Sequence, residues 1–218
     1  MNMRATEILL LRHGQSEGNQ LGRFGGHGPT PLTQKGHAQA AAAARAIAAE
    51  GGLSAIFASD LIRAVETAQP IVEATGIAMV KTPALRERSV GVFTGLTFEE
   101  AEQRYPKDFA ALMARESDVC PPDGETALAC TARAAQLVDQ VVAKFTGGRV
   151  LFVSHAATLN LVLLHLMGLP HREHGRRLWF RTDNCALHRL RRGADDLWQV
   201  TALNDRAHLA EVNAAAAK

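Results

Sequence analysis

Three apolar runs in this 218-residue chain break off into residues able to do chemistry. Ile8–Leu11 gives way to Arg12, His13 and Gly14. Ala55–Ala58 is followed by Ser59, Asp60 and then Arg63, which falls in the first turn of a helix-like stretch. Val150–Val153 leads through Ser154 to His155. Two guanidinium groups and two imidazoles delivered to one sheet edge would make a small, strongly cationic pocket. Guanidinium forks match phosphoryl oxygens in bidentate geometry, so a phosphoryl group is the simplest ligand. Metal-dependent phosphoryl transfer would require a cluster of Asp or Glu, whereas these strand ends supply cations. A metal-free route needs a nitrogen or sulfur nucleophile. A neutral imidazole held by a backbone carbonyl can attack phosphorus in line and form a phosphohistidine that water later hydrolyses. The other cations and the second imidazole would stabilise charge on the equatorial oxygens. The leaving alkoxide also needs a proton, and Glu87, in the loop "ALRERSVGVFTGLTFEE", is the candidate donor.

Taken singly, each residue has an ordinary structural reading. Arg63 could be a surface arginine, although the positive end of a helix disfavours a cation there unless an anion is near. His13 could be a satisfied structural histidine and His155 a helix cap. Glu87, flanked by Arg86 and Arg88, could be a solvated surface residue. The functional reading rests on their convergence at equivalent strand ends, where ligands of open α/β sheets bind beside helix N-termini.

The elements that would position them follow from pattern. The three apolar runs read as buried strands. The alanine-rich "HAQAAAAARAIAAEGG" favours helix and is stopped by Gly51 and Gly52. "LIRAVETAQPIVEATG" has helical spacing, with Ser59 and Asp60 as N-cap types and Pro70 expected to kink or divide it. A helix from about Glu125 to Phe145 opens after the turn "PPDG", and "HAATLNLVLLHLMGLP" follows the third strand until Gly168 and Pro170 stop it. Alternating strands and helices indicate an α/β domain with a mainly parallel sheet. One domain spans 1–218, with 88–122 forming a small helical cap, and the tail "EVNAAAAK" should fray.

Composition narrows the function classes. With 24 Lys and Arg against 22 Asp and Glu, a net charge of +2 and 5% aromatic residues, the chain has neither the basic tail nor the stacking surface of a nucleic-acid binder. No apolar stretch is long enough for a signal segment or membrane span, which points to a soluble cytoplasmic protein. Cys120, Cys130 and Cys185 lack CxxC spacing and suggest neither a disulfide framework nor zinc. His171 and His174, in "PHREHGRR", have no further ligands at useful spacing and read as surface residues, so no metal and no cofactor are expected.

These motifs together resemble the histidine phosphatase superfamily, the phosphoglycerate-mutase-like proteins known for their RHG motif. "LLRHGQSEGN", "PLTQKGHAQA", "FASDLIRAVETA", "LRERSVGVFTGLTFEE", "PPDGET", "VLFVSHAATL", "LWFRTDNCALHRL" and "WQVTALNDRAHL" match its blocks in order over nearly the whole chain. The resemblance implies a three-layer α/β/α fold with helices on both faces of a mainly parallel sheet. It implies a metal-independent phosphoric monoester hydrolase of the histidine acid-type, acting on a small-molecule phosphate ester. His13 would be the phosphorylated nucleophile, Arg12, Arg63 and His155 the phosphate pocket, and Glu87 the acid and later base. Asn19 would line the phosphate site; Gln15, Ser16, Arg23, Gly25 and Gly26 would lie nearer the substrate. Gly14 would permit close backbone approach. Ala156 stands where the family often has Gly, while Pro29, Thr30 and Thr94 also depart from its pattern, which bears on substrate fit. Two other readings stay open: a cofactor-dependent phosphoglycerate mutase, whose longer insertion after the acid is missing here, and a non-catalytic phospho-ligand binding module. The sequence names neither the substrate nor the oligomeric state, a homodimer being compatible with it.

Overall fold

Four consecutive aliphatic residues, Ile8 to Leu11, are completely buried in β1 (Thr6–Arg12). They alternate between two cores. Leu9 and Leu11 face the core that contains Ala43, Ile47, Ala64 and Ile71, while Ile8 and Leu10 face the core that contains Val138, Val142, Leu159 and Leu163. A strand covered on both faces is why this segment is apolar throughout and does not alternate with polar residues.

The computed structural model describes residues 5–114, 119–170, 172–173 and 176–215. After β1 come the one-turn helix α1 (Glu17–Gln20) and α2 (Gln34–Glu50). Then follow β2 (Leu53–Ser59), α3 (Ile62–Thr75) and β3 (Met79–Thr82). Two short helices, α4 (Phe98–Arg104) and α5 (Pro106–Met113), occupy the middle of the chain. The second half contains α6 (Ala127–Lys144), β4 (Arg149–Ser154) and α7 (Ala156–Leu166). It continues with the two-residue strands β5 (Arg172–Glu173) and β6 (Arg176–Arg177), then β7 (Leu187–Arg192), β8 (Trp198–Asp205) and α8 (Ala210–Ala215).

The central sheet has the order β3-β2-β4-β1-β7-β8. Its first four strands are parallel, and β7 and β8 add antiparallel at one edge. Helices α2, α3 and α8 cover one face, and α6 and α7 cover the other. This is the expected α/β/α arrangement with a mainly parallel sheet. Among the described residues no helix is long and apolar enough to cross a membrane.

Local expectations fail in four places, each for a tertiary reason. Helix α3 takes Leu61 as its N-cap without a side-chain cap bond; Ser59 is drawn to His155 instead, and Asp60 forms a bidentate ion pair with Arg86. Pro70 lies inside α3 without dividing it, since Ala64, Ala68 and Ile71 anchor both sides of the proline in the core. The tail is helical through Ala215 because Leu209 is buried and Val212 packs on the same core. Strand β3 escaped the pattern because its Val80 and Lys81 are exposed at the sheet edge.

Between Arg88 and Pro122 a 3-10 turn at Gly91–Phe93, α4 and α5 build a separate small core. Phe93 and Ala101 are fully buried there, with Phe24 stacked on Phe98 at 4.4 Å between ring centroids.

Candidate active site

Parallel pairing in register brings the carboxyl ends of β1 and β4 together: Arg12 is the partner of Ser154, and the His13 N–H donates to the Ser154 carbonyl at 2.9 Å. His13 and His155 therefore emerge side by side, their ring centroids 5.0 Å apart. Both imidazoles are buried, at 3% and 0% exposure.

His13 Nδ1 lies 2.6 Å from its neighbour's carbonyl, Gly14 O. A carbonyl only accepts, so Nδ1 carries the proton and Nε2 is left with a lone pair. Burial, followed by the nearby charges of Arg12 and Arg63, pushes the His13 pKa well below its ordinary value. The ring is thus neutral at physiological pH, the state a nucleophilic imidazole requires. Asn184 fixes the turn, donating through Nδ2 to His13 O at 3.1 Å, to Gly14 O at 3.2 Å and to Asn19 Oδ1 at 2.9 Å.

His155 is also held neutral, first by burial and then by Arg63. Its Nε2 lies 2.8 Å from Ser59 Oγ, which itself accepts the Leu61 N–H at 3.3 Å. With one Oγ lone pair taken by Leu61, the hydroxyl can meet Nε2 either as donor or as acceptor; with Oγ as donor, the ring N–H falls on Nδ1. That atom is buried without a protein partner, as is Arg12 Nε. The only other such atom among the described residues, Arg149 Nε, sits 3.0 Å from a Glu7 carboxylate oxygen. A desolvated donor without an acceptor costs about 1–3 kcal/mol, and an anion here would satisfy Arg12 Nε together with a protonated His155 Nδ1.

Arg63 resolves the helix-dipole conflict in a way the sequence did not indicate. Its guanidinium, 2% exposed, donates to Gly26 O at 2.7 Å and Gly28 O at 3.0 Å. It thereby pins the loop after Arg23 over the pocket. Gly26 has φ +42°, and a Cβ there would lie 2.8 Å from Thr94 Oγ1, so this contact demands glycine. Arg12 donates through Nη1 to Thr182 O at 2.7 Å.

Glu87 occupies the N-terminus of α7. Its carboxylate accepts from the backbone N–H groups of Ala157 (3.3 Å), Thr158 (3.1 Å) and Arg88 (2.9 Å), and from Thr158 Oγ1 at 3.2 Å. It is a half-buried residue; burial lowers the pKa of both Arg12 and Arg63, and the nearby Glu87 partly offsets that. The free amides of this helix thus hold the carboxyl group and not the anion. Arg133 supports the loop from behind, donating to Glu87 O at 3.1 Å, Ala84 O at 2.8 Å and both carboxylate oxygens of Glu125.

The remaining candidates divide. Asn19 is tied to Asn184 beside His13, while Ser16 is buried as the N-cap of α1 in a capping box with Asn19. Gln15 accepts from Thr33 Oγ1 at 2.9 Å and donates its N–H to Gln39 at 2.8 Å, which occupies it in the contact with α2. Gly14 makes its close approach to that helix too: a Cβ would lie 2.6 Å from Gly36 O. Arg23 is turned outward to Gly95 O and Glu100. Gly25 faces the Arg63 guanidinium, and Gly26 and Ala156 line a cavity beside Glu87. Sequence reasoning missed Thr158, Thr182, Asn184, Arg133 and His27, whose Nε2 meets Glu87 O at 2.7 Å. Polar residues flanking the recognised motifs were the available signal for the first three. The expectation for His171 and His174 lies outside the described residues. Among the described residues no three His, Cys, Asp or Glu side chains gather as a metal site.

Comparison with known proteins agrees with this geometry. The chain is 34% identical over 158 residues to a bifunctional protein of Mycobacterium tuberculosis, covering 72% of this chain and 43% of that one, so it spans less than half the length of that relative. It is 32% identical to a metal-independent phosphoserine phosphatase of Arabidopsis thaliana, over 74% of this chain and 68% of the relative. It is 35% identical to a 2,3-bisphosphoglycerate-dependent phosphoglycerate mutase of Mesorhizobium japonicum, over 74% and 81%. Among solved structures, a mycobacterial glucosyl-3-phosphoglycerate phosphatase superposes with a TM-score of 0.82 at 28% identity, over 92% of this chain and 99% of that one. The model of the histidine phosphatase superfamily (branch 1) matches residues 8–206, and the chain is a member of that superfamily.

Proposed function

We propose that the protein is a metal-independent phosphomonoesterase working through a phosphohistidine at His13. The observation that carries this reading is the His13 ring: buried, neutral, with Nδ1–H fixed on Gly14 O and Nε2 free, beside the buried, unpartnered nitrogens Arg12 Nε and His155 Nδ1. Nε2 attacks the phosphorus of the ester, and the bond from phosphorus to the alcohol oxygen breaks. Arg12, Arg63 and His155 stabilise the transferring group, and the alkoxide takes its proton from Glu87. Glu87 then removes a proton from water, the hydroxide attacks phosphorus, and inorganic phosphate leaves with His13 regenerated. Relatives among phosphatases support the hydrolase reading, and the free cysteines suit a reducing cytoplasmic setting.

The test is phosphate release from p-nitrophenyl phosphate and a panel of metabolite esters in EDTA, comparing the unmodified protein with His13→Ala. Turnover should persist in chelator and fall by at least about 10³-fold in the variant. Transfer from a trapped phosphoenzyme to monophosphoglycerate, without phosphate release, would replace the hydrolase by a mutase. Phosphate binding without any turnover would leave a binding module.

A further inference from the structure

Beside the phosphate pocket lies a cavity of about 310 Å³, at the small end of ligand sites. Glu87, the proposed acid, lies on its wall with Gly26 and Ala156, so the alcohol half of an ester bound at the phosphate pocket can enter it. Away from that shared edge its wall is apolar: Phe24, Val90, Phe98, Leu112, Met113 and Leu161. Phe98 and Met113 remain 49% and 41% exposed, an apolar rim leading inward.

The charged side chains on its wall are Glu87 and Arg88. Glu87 is itself a carboxyl group and offers a second anionic group no counter-charge. Arg88 is buried, with Nε on Glu125 O at 2.7 Å and Nη2 on Val119 O at 2.5 Å, so its guanidinium serves the backbone. Arg23, next to the cavity-lining Phe24, is paired with Glu100. Among the described residues, a carboxylate or second phosphate on the alcohol half of the substrate would therefore meet mainly aromatic and aliphatic carbon and no free cation, which is unfavourable.

We infer that the preferred substrate is a monophosphate ester of an uncharged, apolar alcohol, whose hydrocarbon portion fills the cavity between α4, α5 and the start of α7. This rests on the phosphatase reading above and narrows its substrate class. Phosphoglycerates and phosphoserine are disfavoured by the same argument.

The experiment uses n-alkyl phosphates from propyl to hexyl, whose leaving groups have nearly constant basicity, together with 6-phosphohexanoate, the ω-carboxylate counterpart of the hexyl ester. kcat/KM should rise about two- to fourfold per methylene, the larger figure corresponding to complete burial. It should fall at least tenfold when the carboxylate is added. Met113→Lys, a cation placed on the rim, should narrow or reverse that last preference. A flat alkyl series, or faster hydrolysis of the carboxylate ester by the unmodified protein, overturns the inference while leaving the phosphatase reading intact. No turnover of any alkyl ester or of p-nitrophenyl phosphate by the folded protein refutes the phosphatase reading, and the inference falls with it.

Discussion

Replacing Ser59 by Ala removes one oxygen atom that touches no substrate, yet it should impair the site. Ser59 and His155 are both completely buried. The hydroxyl accepts the Leu61 N–H at 3.3 Å and contacts His155 Nε2 at 2.8 Å. In the alanine variant Nε2 loses its hydrogen-bond partner in a buried site, at a cost of about 1–3 kcal/mol. For a chain of this length each kcal/mol lowers Tm by about 2–4 °C, so the expected loss is about 2–12 °C. The contact that selects the ring tautomer is lost as well. If the same 1–3 kcal/mol is lost from transition-state binding, kcat/KM on hexyl phosphate falls about 5- to 150-fold. Scanning calorimetry and steady-state kinetics measure the two effects separately. Ser59→Thr, which keeps the hydroxyl, should recover most of the activity. A Ser59→Ala protein with lowered Tm but kcat/KM within twofold of the parent would refute the tautomer argument and reduce Ser59 to a packing residue.

Stability should depend on pH through buried imidazoles. Burial lowers the pKa of His13, His155 and His208, and brings His188 to about 4. Unfolded, these rings protonate near their ordinary value of about 6.5. Below that pH the unfolded chain binds more protons than the folded one, so stability is full above about 6.5 and declines as pH falls toward the folded values. The limiting slope is about 1.4 kcal/mol per pH unit for each ring; urea titrations from pH 8 to 5 measure it, and a flat profile would show that the rings are not held neutral. Arg133 positions the acid loop, so Arg133→Met should slow alkyl phosphates, which need protonation on leaving, about tenfold more than p-nitrophenyl phosphate, which does not. Equal slowing of both would make Arg133 structural only.

The sequence by itself determined the layers of the fold and the polar junctions at its strand ends. Short apolar runs without alternation, bounded by turn residues, read as strands covered on both faces, and their junctions with Arg12-His13, Arg63 and His155 were visible as abrupt changes of polarity. What it could not determine was where polar groups find their partners, because hydrogen bonds between distant segments leave no periodic trace. Ser59, a plausible cap by local rules, belongs to His155, 96 residues away in the chain. Glu87 looked like a surface residue between two arginines, yet it sits on the N-terminus of a helix that begins at Ala156. Arg63, Gly14 and the tail were likewise decided by contacts with Gly26, Gly36 and the core. The apolar cavity belongs to the same class: Phe24, Val90, Leu112 and Leu161 are far apart in sequence, and only the packing of α4 and α5 beside the end of the sheet makes them one wall. Local pattern encodes burial, which every residue of an element shares; tertiary packing encodes pairing, which depends on a single distant atom.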